Sequence, residues 1–509
     1  MVLNFFTQRP DHPLADAKEL KRVIAEVPSG NAFKAVDEIA GWFDSLLHAD
    51  DFRIDHYFEV VQQLDDVAQP HLRRLTRDYL LSPRLSKTDE HRLWTISYGY
   101  WGAMAGLYAR CLERVKQNPK ERGSESLKPS LPLIAARLMA AHVAQLKWVE
   151  YHYGLVGEIL WQGLGQAYLA AEAAGYAHKP LQLYPNSPGV TSVAAQYLQA
   201  LIFRSSSMGS LMPLEIELAD RMIVHFLPGF VFSADCRPES VYWVDVASGA
   251  PPMRLARNPG EVTPTLRFFS PGSVPQALSE LIHTVERGDV PENLNLGGPY
   301  PAKVLLPVLK HLAVYWAPVP PQRQHKRHAV KTRISVLHGF DDSFTIFAGN
   351  VARLGKERNA ESWVVENVSL GGFGAMVDDL RGDWLKVGAL LSMQPEGGEN
   401  WVLGSVRRYS RGSDSQARVG IQSLCRQAQS VELRPRTTGL SAMGAIPGIW
   451  LHEGKVPGEA RMVLPPASFD LRESLEFCHD GKNYLLTPVE LEERGSDYEI
   501  GRYHEHIAD

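Results

Sequence analysis

Cysteine is scarce: Cys111, Cys236, Cys425 and Cys478 are the only four in 509 residues, none lies in a C-x-x-C pair, and no histidine stands at zinc-ligand spacing from them. That excludes a disulfide framework and a zinc module, and it fits a chain kept in a reducing cytosol. Long apolar runs are missing too. The most apolar segment, "LWTISYGYWGAMAGLYA" from Leu93 to Ala109, is at the short limit of the roughly 17 to 25 residues that a membrane span needs. It also carries Thr, Ser, Tyr and Gly, so a buried core helix is expected. The opening "MVLNFFTQRPDHPLADAKELKR" lacks a basic region, a sustained apolar run and a small-residue cleavage site, so it does not read as a signal peptide. Net charge is only -5 with both signs mixed, which excludes a chain-wide nucleic-acid surface or an acidic disordered tail.

Familiar catalytic signatures are also absent. There is no G-x-x-x-x-G-K-[ST], no G-x-S-x-G and no H-E-x-x-H, and "GGFGA" lacks the strand-to-helix setting of a dinucleotide fold. Adjacent Asp378 and Asp379 read as solvated turn residues rather than an acid/base pair. His504 and His506 in "RYHEH" read as a frayed polar terminus rather than a metal pair. No catalytic residue, metal ligand or cofactor is assigned, and the chain is not expected to be an enzyme.

What is present divides the chain into a multidomain α + β protein, long enough for two or three domains. Residues 1–226 repeat apolar positions at helical spacing, as in "AFKAVDEIAGWFDSLL" and "LPLIAARLMAAHVAQLKWVEYHYGLVGEILWQGLGQAYLAAEAA", and predict a large all-α module. Within it "WQGLGQAY" fits the first helix of a tetratricopeptide repeat. Three prolines follow where the second helix should run, so the alternative is a tight helix crossing at Gly163 and Gly165. Residues 227–316 read as a mixed α+β region ending in a helix, and 317–333 as a proline-broken hinge linker. Over 322–426 the period switches to two: "RISVLHGF", "SFTIFAGNVARL", "SWVVENVSL", "FGAMV", "ALLSMQ", "WVLGSVRRYS" and "ARVGIQSL" predict short strands of a small antiparallel barrel. Residues 440–509 are β-rich, either a separate domain or an extension of the barrel.

The chemistry concentrates in two places. The linker holds Arg323-x-x-x-Arg327, and about 40 residues later a predicted strand and its turn hold Asn367-Val-Ser369-Leu-Gly371-Gly372. Arginine presents a planar fork that suits a phosphate and also the O6 and N7 edge of guanine. Asn367 and Ser369, two apart on a strand, share a face and supply an amide and a hydroxyl for a base edge. Gly371 and Gly372 allow a tight turn with positive φ and a close backbone approach. R-x-x-x-R alone is weak, because Arg73 to Arg77 and Arg407 to Arg411 also fit it. The basic linker also admits two blander readings, a solvated charge run or a phosphate-backbone patch. Without interleaved aromatics or a groove-reading helix, nucleic acid is not expected as a partner.

The ordered pair R-x-x-x-R and N-x-S-x-x-G resembles the signature of the PilZ domain family of bacterial cyclic di-GMP receptors, over Gln322 to Leu424. The resemblance does not extend to the helical module. It implies a PilZ-like barrel that binds cyclic di-GMP through Arg323, Arg327, Asn367, Ser369, Gly371 and Gly372. It further implies a cytoplasmic receptor whose arginines clamp the ligand, reorient the helical module relative to the barrel, and so regulate a protein partner in motility, adhesion or polysaccharide output. The rival reading is a ligand-independent adaptor with a helical scaffold and a degenerate barrel.

Overall fold

The computed structural model describes residues 11–82, 85–187, 189–255, 259–260, 262–319, 327–349, 360–369, 371–378, 384–411, 416–436, 444–452 and 456–508. These form two compact units; the second takes in His152–Leu155, Gly209–Met212 and the described chain beyond residue 322.

The first unit begins with α1 (Ala17–Glu26), α2 (Ala32–Leu47), α3 (Ile54–Leu81), α4 (Lys87–Gln117), α5 (Ser124–Leu127), α6 (Leu131–Tyr151), α7 (Glu158–Ala173), α8 (Val193–Ser205) and α9 (Pro213–Phe226). Helix starts are set by side chains that accept otherwise unpaired amides. Asp16 caps α1, Asn31 caps α2, Ser86 caps α4 and Ser192 caps α8. The apolar stripe of α2, from Ala35 and Val36 through Ile39 and Phe43 to Leu46, is wholly buried. At the centre is α6, which packs against α4, α7, α8 and α9. Its Arg137 is buried and binds Asp65 at 3.0 Å and Asp66 at 2.8 Å, both on α3. Among the described residues no helix is long and apolar enough to cross a membrane.

The tetratricopeptide-like stretch lies on α7, where its glycines serve close packing. A Cβ on Gly165 would fall 2.0 Å from the Val246 carbonyl oxygen, and one on Gly163 would fall 2.7 Å from the His142 ring. A short bridged segment, Leu181 paired with Thr191, intervenes before α8. The unit then adds a four-stranded sheet, β1 (Val231–Ser233), β2 (Tyr242–Asp245), β3 (Met253–Arg254) and β4 (Leu266–Ser270) in the order β1-β4-β2-β3, and two helices, α10 (Val274–Glu286) and α11 (Ala302–Trp316).

The second unit holds two closed barrels. The first consists of β5 (His328–His338), β6 (Glu361–Ser369), β7 (Gly372–Val377), β8 (Leu390–Pro395), β9 (Val402–Arg411) and β10 (Ala417–Cys425), with α12 (Phe340–Phe347) after β5. Its ring order is β10-β7-β6-β5-β8-β9. Inward residues such as Ile334, Val336, Trp363, Val365, Val419 and Ile421 fill it. One buried carboxylate, Glu361, accepts from the indole N–H groups of Trp363 at 2.9 Å and Trp384 at 3.0 Å. The second barrel consists of β11 (Ala428–Pro435), β12 (Ile446–Leu451), β13 (Glu459–Leu464), β14 (Leu475–His479), β15 (Lys482–Arg494) and β16 (Glu499–Ala508). A shared apolar cluster, including Phe340, Leu390, Leu403, Ile449, Val463 and Tyr498, joins the barrels.

Two local expectations fail. "SFTIFAGNVARL" was expected as a strand, but its first part lies in α12. Phe340, Phe344 and Phe347 recur at helical spacing and meet the shared cluster, and Asp341 and Asp342 occupy the first turn, where the helix dipole favours them. "RYHEH" does not fray: it is the core of β16, paired with β13 and β15.

One group gives this unit a pH signature. Asp497, beside the start of β16, is half-buried and accepts the Leu390 amide at 2.9 Å. Burial pushes its carboxyl up to about 6. A carboxyl whose folded pKa exceeds its unfolded value contributes stability below the unfolded value and loses it as pH rises through the folded one. Urea unfolding should therefore show Asp497→Asn gaining on the wild type between pH 4 and 7.5, by on the order of 2 to 3 kcal/mol. Parallel wild-type and variant pH profiles would contradict this.

Candidate functional site

The face that a strand residue uses is set by its phase, and β6 changes phase in mid-strand. Along β6–β7 the register runs Val364 to Met376 and Val365 to Ala375, then jumps to Asn367 opposite Gly374, Val368 opposite Phe373 and Ser369 opposite Gly372. Glu366 is the extra residue, a bulge, and bulges re-aim the side chains that follow them. Before it, Glu361, Trp363 and Val365 point into the barrel. Strand β7 keeps its phase, with Ala375 and Val377 buried and Phe373 packed against the same core. Gly372 and Gly374 thus lie on the outer face, and their partners Ser369 and Asn367 lie there with them. Without the bulge, regular alternation would turn both polar side chains inward.

The β5–β6 ladder brings in the linker. His328 pairs with Val368 and Ala329 with Asn367. Carried one residue further, this register sets the exposed Arg327 alongside Ser369. Three of the expected residues, Arg327, Asn367 and Ser369, therefore meet on one outer patch at the β5–β6–β7 edge. Arg323 lies outside the described residues, as do Leu370 and the segment 350–359 that reads as an extended hairpin.

The glycines divide between two tasks. A Cβ on Gly372 would fall 2.0 Å from the Ile421 carbonyl oxygen, and its φ is +155°. This residue therefore lets β7 and β10 approach closely. Gly371 has open space around its Cβ position, so it leaves the turn uncovered rather than filling a contact. Gly374 serves packing against Asn367: its Cβ would lie 2.8 Å from Asn367 Nδ2.

Two polar details bear on ligand chemistry. Ser369 Oγ donates to the Gly372 carbonyl oxygen at 3.0 Å across the turn, which leaves the hydroxyl oxygen as an acceptor. Asn367 Oδ1 is secluded from solvent and has no donor among the described residues. Buried acceptors usually find a donor, and this one has the bare backbone of Gly374 beside it. Gly420 stands opposite Gly374 on β10, so two adjacent strands are bare of side chains at this level, a pairing the sequence does not disclose. The only signal was a glycine interrupting the alternation of "ARVGIQSL".

No curated protein matches the chain. Residues 18–237, which run from α1 to just beyond β1, match the family model described as "Cyclic-di-GMP receptor FimW, N-terminal domain", so the helical part of this chain is similar to that of a cyclic di-GMP receptor family.

Proposed function

We propose that this protein is a cytoplasmic receptor for cyclic di-GMP, which it binds without chemical change on the outer face of a PilZ-like first barrel. The observation that carries the reading is the register of β5 on β6, which sets His328 opposite Val368 and Ala329 opposite Asn367 and so leads Arg327 toward the outward Asn367 and Ser369, about 40 residues further along the chain. The match of residues 18–237 to a family described as a cyclic di-GMP receptor supports it independently, because that match lies outside the barrel.

In this reading Arg323 and Arg327 engage phosphate or guanine, Asn367 and Ser369 meet a base edge, and Gly371 and Gly372 keep the turn low enough for the ligand to approach. Charge-assisted contacts offset the cost of ordering two long side chains. The linker before β5 is then the element whose equilibrium the ligand biases, which changes how the helical module is presented to a protein partner. One observation favours the rival adaptor reading: the Ser369 hydroxyl is already engaged by the turn.

Isothermal titration of the full chain with cyclic di-GMP separates the two. Binding with a Kd in the micromolar range or tighter is expected, and Arg327→Ala should weaken it by about a hundredfold. Absence of heat at tens of micromolar ligand would leave the adaptor reading standing.

A further inference from the structure

The R-x-x-x-R that runs from Arg73 to Arg77 lies on α3, in the helical unit. This helix turns one stripe to solvent at helical spacing: Glu59, Gln63, Arg73, Arg74, Arg77 and Asp78 are exposed, while Leu72, Leu75 and Tyr79 beside the arginines are buried. Little more than one turn therefore presents three guanidinium groups. None of the three has a hydrogen bond or ion pair among the described residues. Elsewhere in the same unit Arg22, Arg53, Arg110 and Arg114 are each held by a carboxylate.

The surroundings do not neutralise this patch. Helix α3 packs against α9. Burial raises the Tyr300 hydroxyl, and Arg221 on α9 and Arg77 on α3 both oppose that shift, so a further cation lies near the row. Glu217, which also acts on Tyr300, is already held by Lys147 at 2.8 Å and Arg221 at 2.7 Å. On the stripe itself the acids stand at the ends, Glu59 about four turns before Arg73 and Asp78 directly after Arg77. A nucleic-acid duplex or an anionic membrane is a continuous polyanion and would meet these carboxylates as well. A short acidic segment fits between them.

We propose that Arg73, Arg74 and Arg77 form a docking surface for an extended acidic segment of a protein partner. The proposal rests on the partner-regulating part of the reading above and adds the chemistry of that partner. Four residues of helix rise about 6 Å from Arg73 to Arg77. Same-side carboxylates of an extended chain repeat at about 6.6 Å, so successive ones meet successive arginines. The planar fork of arginine holds a carboxylate through two parallel hydrogen bonds.

The test is fluorescence anisotropy of fluorescein-labelled octaglutamate with the full chain at low salt, run beside octaglutamine, phosphatidylserine-containing vesicles and a DNA duplex. Octaglutamate should bind and octaglutamine should not. Replacing Arg73, Arg74 and Arg77 together by alanine is expected to weaken octaglutamate about tenfold to thirtyfold, as three exposed pairs at the upper end of their usual contribution would. Replacing Arg122, Arg237 and Arg287, exposed arginines of the same unit, removes equal charge and should leave affinity within about twofold. Helical circular dichroism and cyclic di-GMP titration should match the wild type in both triple variants. No octaglutamate binding, or equal losses in the two triple variants, would overturn the inference while leaving cyclic di-GMP binding as it was found. Vesicles or duplex binding through the α3 arginines as tightly as the peptide would also overturn it, because the patch would then be a general polyanion surface. Octaglutamate binding through these arginines in a chain that binds no cyclic di-GMP would uphold this surface and remove the receptor reading.

Discussion

Arg137→Ala is expected to destabilise the helical unit by about 3 to 5 kcal/mol, because it leaves a buried carboxylate without its counter-charge. Asp65 is fully buried. It accepts from Arg137 Nη1 at 3.0 Å, Tyr108 Oη at 2.8 Å, Tyr100 Oη at 3.1 Å and Gln69 Nε2 at 2.7 Å. Arg137 further donates to Asp66 and to the Leu183 carbonyl oxygen, so one guanidinium ties together α3, α4, α6 and the segment before α8. Burial pushes the Asp65 carboxyl up, and Arg137 opposes that shift. With the arginine gone the opposition disappears, and the group folds most readily when protonated. A raised folded pKa contributes stability at low pH that is lost as pH rises, so the defect should be larger at pH 8 than at pH 5. Hydrogen exchange resolves it: amides of α3 and α6 should lose protection while those of the first barrel keep theirs. A loss below about 1 kcal/mol, or one independent of pH, would show that the network tolerates the missing charge.

That network also marks the limit of what the chain discloses by itself. Helices α2, α3, α4, α6 and α7 are legible because packing imposes their 3.6-residue period on the apolar residues. Nothing in the sequence pairs Asp65 with Arg137, which are 72 residues apart. Most strands of the first barrel are legible through alternation, most cleanly β10, with Ala417, Val419 and Ile421 buried and Arg418 and Gln422 exposed. The stretch giving α12 misleads because Thr345 and Ile346 are β-branched, a local preference that the packing of three phenylalanines overrides. The strand β11 goes unnoticed because only Val431 and Leu433 are buried in it, among polar neighbours.

The site divides in the same way. Its residue types and order are in the sequence, since they are a matter of chemistry. The face they occupy is not, because strict alternation from Val365 would place Asn367 and Ser369 inside the barrel, and only the bulge at Glu366 reverses this. The R-x-x-x-R look-alike that begins at Arg407 is committed elsewhere, because Arg407 is held by Gln422 and Glu493.

Deleting Glu366 is therefore expected to abolish cyclic di-GMP binding, whereas Glu366→Ala should leave affinity within about twofold of wild type, surface substitutions being close to neutral. The deletion removes one residue and no proposed ligand contact. Its effect is geometric: β6 reverts to regular alternation, and either Asn367 and Ser369 rotate into the core or Trp363 and Val365 rotate out of it. The first outcome removes the site, and the second breaks the core, so neither leaves a folded barrel with the patch intact. Glu366→Ala keeps the residue count and hence the bulge. Titration measures binding, and near-ultraviolet circular dichroism reports whether Trp363 and Trp384 keep their packing. Gly374→Ala serves where the deletion fails to fold. It leaves the register alone but places a methyl group about where the Asn367 amide now lies, 2.8 Å from Nδ2, and should weaken binding about tenfold by moving one hydrogen-bonding group. Retained wild-type affinity in the deletion, or in Gly374→Ala with Asn367→Ala also silent, would mean that the ligand does not use this face of the barrel.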